Sequence, residues 1–298
     1  MPTVYDRVVE LPPDLLASCR PMPLPRRVLM CPPEHFDVFD VHNPFMQGNV
    51  GAVDHMRALD QWEQVAAAFR AAGAAVELID PVEGLEDMVF CANPTFVGPD
   101  ADGARLCILG NMKFESRQGE VRHFADYFAA RGYDVQYLIG DEVFEGGGDA
   151  LWHPGRGLIW GGYGYRTEPD SYEQISDFFD VPVLRLRLTS ERFYHLDAAL
   201  CALNERTALV RSPALAPAGM DLVRAVFDEV IEADPYEAEN LMACNAAAIG
   251  GEHVIIPSGC ARTSAALRER DFSVHPVDTS EFLKSGGSVY CMKMFLFD

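Results

Sequence analysis

Five times along this chain, a segment with apolar residues three and four positions apart leads into a short run in which apolar and polar residues alternate. The first spacing marks one face of a helix and the second a half-buried strand. Residues 59–72 lead into 75–79 and residues 121–130 into 133–139. Residues 172–179 lead into 181–188, residues 220–227 into 229–232, and residues 261–268 into 272–276. Further short apolar runs lie between these units. Residues 88–90 are expected to pair with 106–109, and 150–152 with 158–160. Residues 208–210, 246–249 and 253–256 read as further strands.

A ββαβ unit recurring every roughly 40 to 60 residues implies a radial or stacked repeat architecture. A plain α/β sandwich would give a similar alternation. The doubly wound version calls for one dominant glycine-rich turn, and no G-x-G-x-x-G is present. Glu145-Gly-Gly-Gly-Asp149 is not a phosphate loop, because no Gly-Lys-Ser/Thr follows. No linker or break in composition divides the repeats. The expectation is an irregular, proline-rich lead-in over 1–27 and a single domain over 28–298.

Charge narrows the partners. The formal net charge is -21, from 45 acids against 24 Lys and Arg. Such a surface repels phosphate backbones and anionic lipid, so no nucleic acid and no membrane partner is expected. No run approaches the ~18 apolar residues of a membrane span, and the first residues lack the apolar stretch of a secretory leader. The 8 cysteines are sparse and none are spaced C-x-x-C. A zinc knuckle or a disulfide framework is therefore not expected, and reduced thiols in a cytoplasmic protein fit best.

Three distant segments carry candidate chemistry. Cys291 follows Gly286-Gly287 and precedes a strand-like tail. A cysteine so placed is usually a small buried hydrophobe; its company raises it to a candidate nucleophile. His195 stands two residues before Asp197, and on a strand both would face the same side. Alone, they would read as a surface His–Asp pair. Glu145 and Asp149 flank three glycines, which is either a tight turn or a place where a carboxylate approaches a flat ligand. Asp87 and Asn93 lie in an acidic segment that ends in Asn-Pro, a turn signal. Arg117 and Arg166 stand near a helix start and after a glycine-rich stretch. Either suits a carboxylate ligand or a surface ion pair.

Together these motifs resemble the guanidine-modifying superfamily of arginine deiminases, dimethylarginine dimethylaminohydrolases, arginine dihydrolases and amidinotransferases. The resemblance covers nearly all of 28–298. It rests on Met30-Cys-Pro-Pro-Glu34, Asn43-Pro-Phe-Met46 with Gly48-Asn49, the segment 85–94, Glu145 to Asp149, Tyr165-Arg-Thr167, His195-Leu-Asp197 and 286–292. It implies a five-bladed α/β propeller (the pentein fold) of ββαβ units around a central channel that holds the site. It also implies Cys291 as nucleophile, His195 as general acid and base, and Glu145 as the carboxylate that holds the guanidinium and the histidine. Asp197 is implied as a second guanidinium anchor, Arg117 and Arg166 as clamps on an α-carboxylate. Asn43, Asp87, Asn93 and Asp149 complete the implied substrate site. No cofactor and no metal are implied, and a homo-oligomer remains open.

Deiminases and dimethylargininases carry Asp where this chain has Asn93, and arginine dihydrolases carry Asn. The expected substrate is therefore arginine, hydrolysed through a covalent thiouronium to ornithine, carbon dioxide and ammonia. Asn donates as well as accepts hydrogen bonds, whereas Asp only accepts, so a neutral ureido intermediate is better retained. The competing readings are dimethylargininase or deiminase chemistry giving citrulline, an amidinotransferase, a silent arginine-binding protein, and a metal site built from Cys291, His195 and Asp197.

Overall fold

The computed structural model of the chain describes residues 4–297, and among them the strands form five sheets. Each sheet repeats one connection: an antiparallel pair, then a helix, then a third strand parallel to the second. In one unit Thr95–Pro99 pairs antiparallel with Arg105–Leu109, and the helix Glu115–Ala129 carries the chain to Asp134–Gln136. The next has Ala150–Trp152, Ile159–Tyr163, helix Ser171–Phe179 and Val183–Arg187. Then come Leu200–Ala202, Thr207–Val210, helix Pro217–Val226 and Glu229–Glu232. Ala247–Ile249, His253–Pro257, helix Ala261–Arg268 and Ser273–Val277 follow. A parallel pair needs such a crossover, because a tight hairpin can join only antiparallel strands.

The remaining unit is assembled from both ends of the chain. Met294–Leu296 pairs antiparallel with Arg27–Met30, which pairs parallel with Ala75–Leu78 across the helix His55–Ala71. That helix starts earlier than its apolar spacing suggests because the Asp54 side chain accepts the Arg57 N–H at 3.1 Å. It buries Ala58, Trp62, Val65 and Phe69 on one face and ends before Gly73, whose φ of 87° is left-handed. Beside it Phe36 stacks on Phe282 with ring centroids 5.0 Å apart and meets Phe90 edge-on at 5.7 Å. A side chain at Gly287 would strike the Phe90 ring, so the glycines before Cys291 let this segment lie against the aromatic cluster.

Two sequence expectations need correction. Residues 88–90 are not a strand: Glu86–Val89 is a 3-10 turn, and the strand paired with Arg105–Leu109 is Thr95–Pro99. All three apolar side chains at 88–90 are buried, and so short a run has no period that separates turn from strand. The lead-in is not wholly irregular either. Val4–Tyr5 adds a parallel strand beside Val183 and Leu184, and Leu15 and Cys19 join the core. Residues 1–3 and 298 of the expected divisions lie outside the described residues. No described helix is long and apolar enough to cross a membrane. All eight cysteines are buried free thiols.

Truncating the helix where it is most buried should be costly. Phe69 is fully buried, while Met56 on the same helix is 77% exposed. Phe69→Ala should lower stability by about 3–5 kcal/mol, and Met56→Ala should shift it by no more than about 0.5 kcal/mol. Urea unfolding followed by circular dichroism measures both. Equal midpoints for the two variants would contradict the assigned packing.

Candidate active site

Each unit delivers polar side chains at the same place, the entry to its first strand. Asn93 precedes Thr95–Pro99, Glu145 precedes Ala150–Trp152, and His195 and Asp197 precede Leu200–Ala202. Asn245 precedes Ala247–Ile249 and Cys291 precedes Met294–Leu296. Connections from second strand to helix add Asn43 and Arg166, and the first turn of the helix Glu115–Ala129 adds Arg117. A cavity of about 300 Å³ results, lined among others by Asn43, Asp87, Asn93, Arg117, Arg166, His195 and Cys291.

At one end His195 Nε2 lies 2.6 Å from Glu145 Oε2, and the same oxygen accepts from Arg166 at 2.9 Å. His195 is not on a strand, as expected from its spacing to Asp197, but at the start of a 3-10 turn, Leu196–Ala198. The turn sends the two side chains to different partners, His195 to Glu145 and Asp197 to Cys291. Burial opposes the charge on Glu145. The Arg166 guanidinium and the His195 contact outweigh it and hold this carboxyl far below the usual range. Arg166 is sandwiched between the rings of Phe114 and Tyr194, its guanidinium carbon 4.6 Å from each centroid. The glycines after Glu145 are a packing requirement. They form a single buried helical turn, Gly146–Asp149. A side chain at Gly148 would collide with the Asn93 amide and stand 3.3 Å from the His195 ring.

Asn93 is oriented by its neighbours. Arg117 donates to its Oδ1 at 2.9 Å, which turns the amide nitrogen toward His195 Nδ1 at 3.4 Å. With Nε2 donating to Glu145, this network assigns Nδ1 as the acceptor. Arg117 itself is largely committed. It makes a two-pronged pair with Glu120 at 2.9 Å on each prong and donates to the carbonyls of Asp87 and Phe90. Of the two arginines, Arg166 keeps more open donors, and Arg117 holds Asn93.

At the other end Cys291 Sγ donates to Asp197 Oδ2 at 3.2 Å and accepts from Asn245 Nδ2 at 3.1 Å. Asn245 Oδ1 also accepts the Cys291 N–H at 3.3 Å. Burial, then the Asp197 charge, hold the thiol well above the ordinary cysteine value. Burial likewise pushes the Asp197 carboxyl up to about 7, against the hydrogen bond from Cys291. Its Oδ1 is buried without a partner, which a buried carboxylate oxygen rarely is.

The other candidates hold the walls. Asp149 does not line the cavity; it accepts from Leu196 N–H at 2.9 Å and Thr167 N–H at 3.3 Å, tying the His195 turn to the Arg166 loop. Burial pushes it up to about 6. Asp87 accepts from Ser285 Oγ at 3.2 Å, and burial raises it too. Asn43 donates to Ser285 O at 3.0 Å and accepts Phe45 N–H at 2.9 Å. Sequence reasoning missed Asn245, Glu120, Phe114 and Tyr194. Asn245 had one signal, a lone polar side chain between apolar neighbours in Ala243-Cys-Asn-Ala-Ala247. Among the described residues no group of three His, Cys, Asp or Glu side chains is placed to hold a metal ion, so the cluster Cys291, His195 and Asp197 is not one.

Comparison with known proteins matches this arrangement. Residues 36–298 fit the family model described as N,N dimethylarginine dimethylhydrolase, eukaryotic. The bifunctional arginine dihydrolase/ornithine cyclodeaminase ArgZ of Synechocystis is 36% identical over 272 residues, 90% of this chain and 37% of that protein. The chain thus spans little more than a third of ArgZ. The N(G),N(G)-dimethylarginine dimethylaminohydrolase of Mycobacterium tuberculosis is 35% identical over 275 residues, 92% of this chain and 87% of that enzyme. The crystal structure of the substrate-bound N-terminal domain of ArgZ, an arginine dihydrolase, superposes with a TM-score of 0.86 at 34% identity. The match covers 91% of this chain and 98% of that domain. On these grounds, the chain belongs to the dimethylarginine dimethylaminohydrolase family of guanidine-modifying enzymes.

Proposed function

We propose that the protein hydrolyses the guanidino group of arginine to ornithine, carbon dioxide and two ammonia, with Cys291 as nucleophile. The likeness to the arginine dihydrolase domain of ArgZ supports this reading, and the Asn93 amide carries it. The five sheets stand as blades of a propeller around the cavity, the catalytic domain runs over 28–298, and the enzyme works in the cytoplasm without a cofactor.

A guanidinium is a planar cation that needs acceptors at its edge. The unpartnered Asp197 Oδ1 is one such acceptor, beside the Cys291 thiol. An entering cation would lower both acids, because a nearby positive charge favours their ionised forms. The Cys291 proton passes across the cavity to His195, and the thiolate attacks the central carbon. His195 protonates the leaving nitrogen, and Glu145 stabilises the imidazolium that precedes this step. The first ammonia departs and a thiouronium stays on Cys291. Water, deprotonated by His195, then releases a ureido group that is neutral.

Retention of that group decides the product. With Asn93 Oδ1 taken by Arg117 and one amide N–H aimed at His195 Nδ1, the second amide N–H can donate into the cavity and hold a ureido oxygen there for a second round. A carboxylate could not donate. The family model favours a second reading, in which a methylated arginine yields citrulline and a methylamine.

Product analysis separates these readings. With arginine the wild type should form ornithine and two ammonia per turnover. Asn93→Asp should release mainly citrulline, since it loses a buried hydrogen bond of about 1 kcal/mol and favours the cation over the neutral intermediate. A wild type that stops at citrulline, or that turns over only methylated arginine, sinks the dihydrolase reading.

Arg166 is proposed to read the substrate α-carboxylate. Arg166→Gln should reduce kcat/KM for arginine at least tenfold more than for agmatine, which lacks that carboxylate; one charge-assisted bond is worth about 1.5–3 kcal/mol. The ratio between the substrates isolates this contact from the loss of the Glu145 pair. Equal losses would assign Arg166 to Glu145 alone.

A further inference from the structure

A second cavity, of about 740 Å³, shares no lining residue with the first. Yet it is lined by the same chain segments, a few residues further along. The segment that places Asn93 continues to Phe96, and the one that places Glu145 continues to Trp152. Those carrying Asp197 and Asn245 continue to Leu203 and Ala248, and the one carrying Cys291 continues to Lys293. The walls are apolar and aromatic, and Lys293 is the only Lys, Arg, Asp or Glu among them. The apolar and aromatic lining is that of sites for small apolar molecules.

Lys293 is out of place there unless something is missing. The residue is 1% exposed. Among the described residues its ε-amine makes no hydrogen bond and no salt bridge. Its neighbours are the ring faces of Tyr290 and Phe295, with the nitrogen 2.9 Å and 3.9 Å from the centroids. Burial holds this amine well below the usual lysine value, against the charge of Asp197. An amine buried in apolar surroundings is costly without an acceptor. The walls hold no acidic side chain, the acid that acts most strongly on the amine, Asp197, does not line the cavity, and an anion from outside would supply an acceptor.

We propose that this cavity binds an apolar monocarboxylate, with its carboxylate on the Lys293 amine and its body against Trp152, Leu203 and Phe295. One amine matches one carboxylate. A phosphate or a dicarboxylate would leave a charge unpaired against apolar walls. An organic cation, such as the proposed substrate of the first cavity, would meet like charge. The carboxylate favours the charged form of Lys293, which takes its proton from solvent, and the two form a buried ion pair. Because Cys291 lies two residues away on the same segment, the ligand also sits directly behind the nucleophile.

The test uses the whole chain, octanoate as probe and 1-octanol as its uncharged counterpart. Titration calorimetry should find one octanoate bound per chain, at least tenfold tighter than 1-octanol. Lys293→Met keeps the length of the side chain and should remove that preference while leaving 1-octanol binding unchanged. Wild-type protein alone gives an independent reading should the variant not fold. 8-Bromooctanoate should quench Trp152 emission, a signal absent in Trp152→Phe, and octanoate should reverse it where equal 1-octanol does not. Octanoate binding no tighter than 1-octanol, binding unaffected by Lys293→Met, or no quenching of Trp152 would each overturn the proposal.

Discussion

The site depends on one unbalanced interaction: a buried thiol and a buried carboxylate that hold a single hydrogen bond between them. Cys291 and Asp197 are both removed from water; the Asp197 charge makes the thiol harder to ionise, while burial raises Asp197 against the hydrogen bond from Cys291. Elsewhere around the cavity the charges are matched. Glu145 has Arg166 and His195, and Glu120 has Arg117. Among the described residues, the carboxylate oxygens buried without a partner are Asp197 Oδ1 and Glu142 Oε2, and Asp197 is the one beside Cys291. An incoming guanidinium is the cation that completes the set. On this account the substrate turns on its own nucleophile, and the enzyme keeps the thiol unreactive until then.

The repeat explains why residues so far apart in sequence can balance charge so closely. Five ββαβ units present the entry to their first strands to a common place, so Asn93, Glu145, His195, Asp197, Asn245 and Cys291 meet without any long loop reaching inward. Closing the first unit with a strand from the end of the chain puts Cys291 on that strand's entry. The proposed nucleophile is therefore in position only when Met294–Leu296 has paired with Arg27–Met30. Glycine makes the approach close enough. Gly148 passes beside Asn93 and His195, and Gly287 against Phe90, at distances that no side chain would allow.

Much of this was legible in the sequence, for identifiable reasons. The five helix-to-strand transitions are periodic, and periodicity survives without knowledge of neighbours. Cys291, His195 and Glu145 stand out because their chemistry is scarce and each sits beside glycine or a second polar group. What failed was whatever depended on a partner. Residues 88–90 look like a strand until the Asn93-Pro94 turn is seen to start one after it. Arg117 looks like Arg166 until Glu120, one helical turn away, takes two of its donors. Asn245 shows only as a lone polar side chain between apolar neighbours, because its place in the site comes from contacts with Cys291, Asp197 and Tyr290.

The central claim is that Cys291 is a thiol in the empty site and becomes a thiolate when a guanidinium enters. Ultraviolet absorbance near 240 nm reports thiolate directly, and the difference between wild type and Cys291→Ser isolates this residue from the other buried cysteines. Titrated from neutral to alkaline pH without ligand, the difference should stay flat up to about pH 9, above the ordinary thiol range. With a saturating guanidinium compound that cannot be cleaved, it should rise by the absorbance of one thiolate at a much lower pH. A thiolate already present at neutral pH in the empty site would contradict the account.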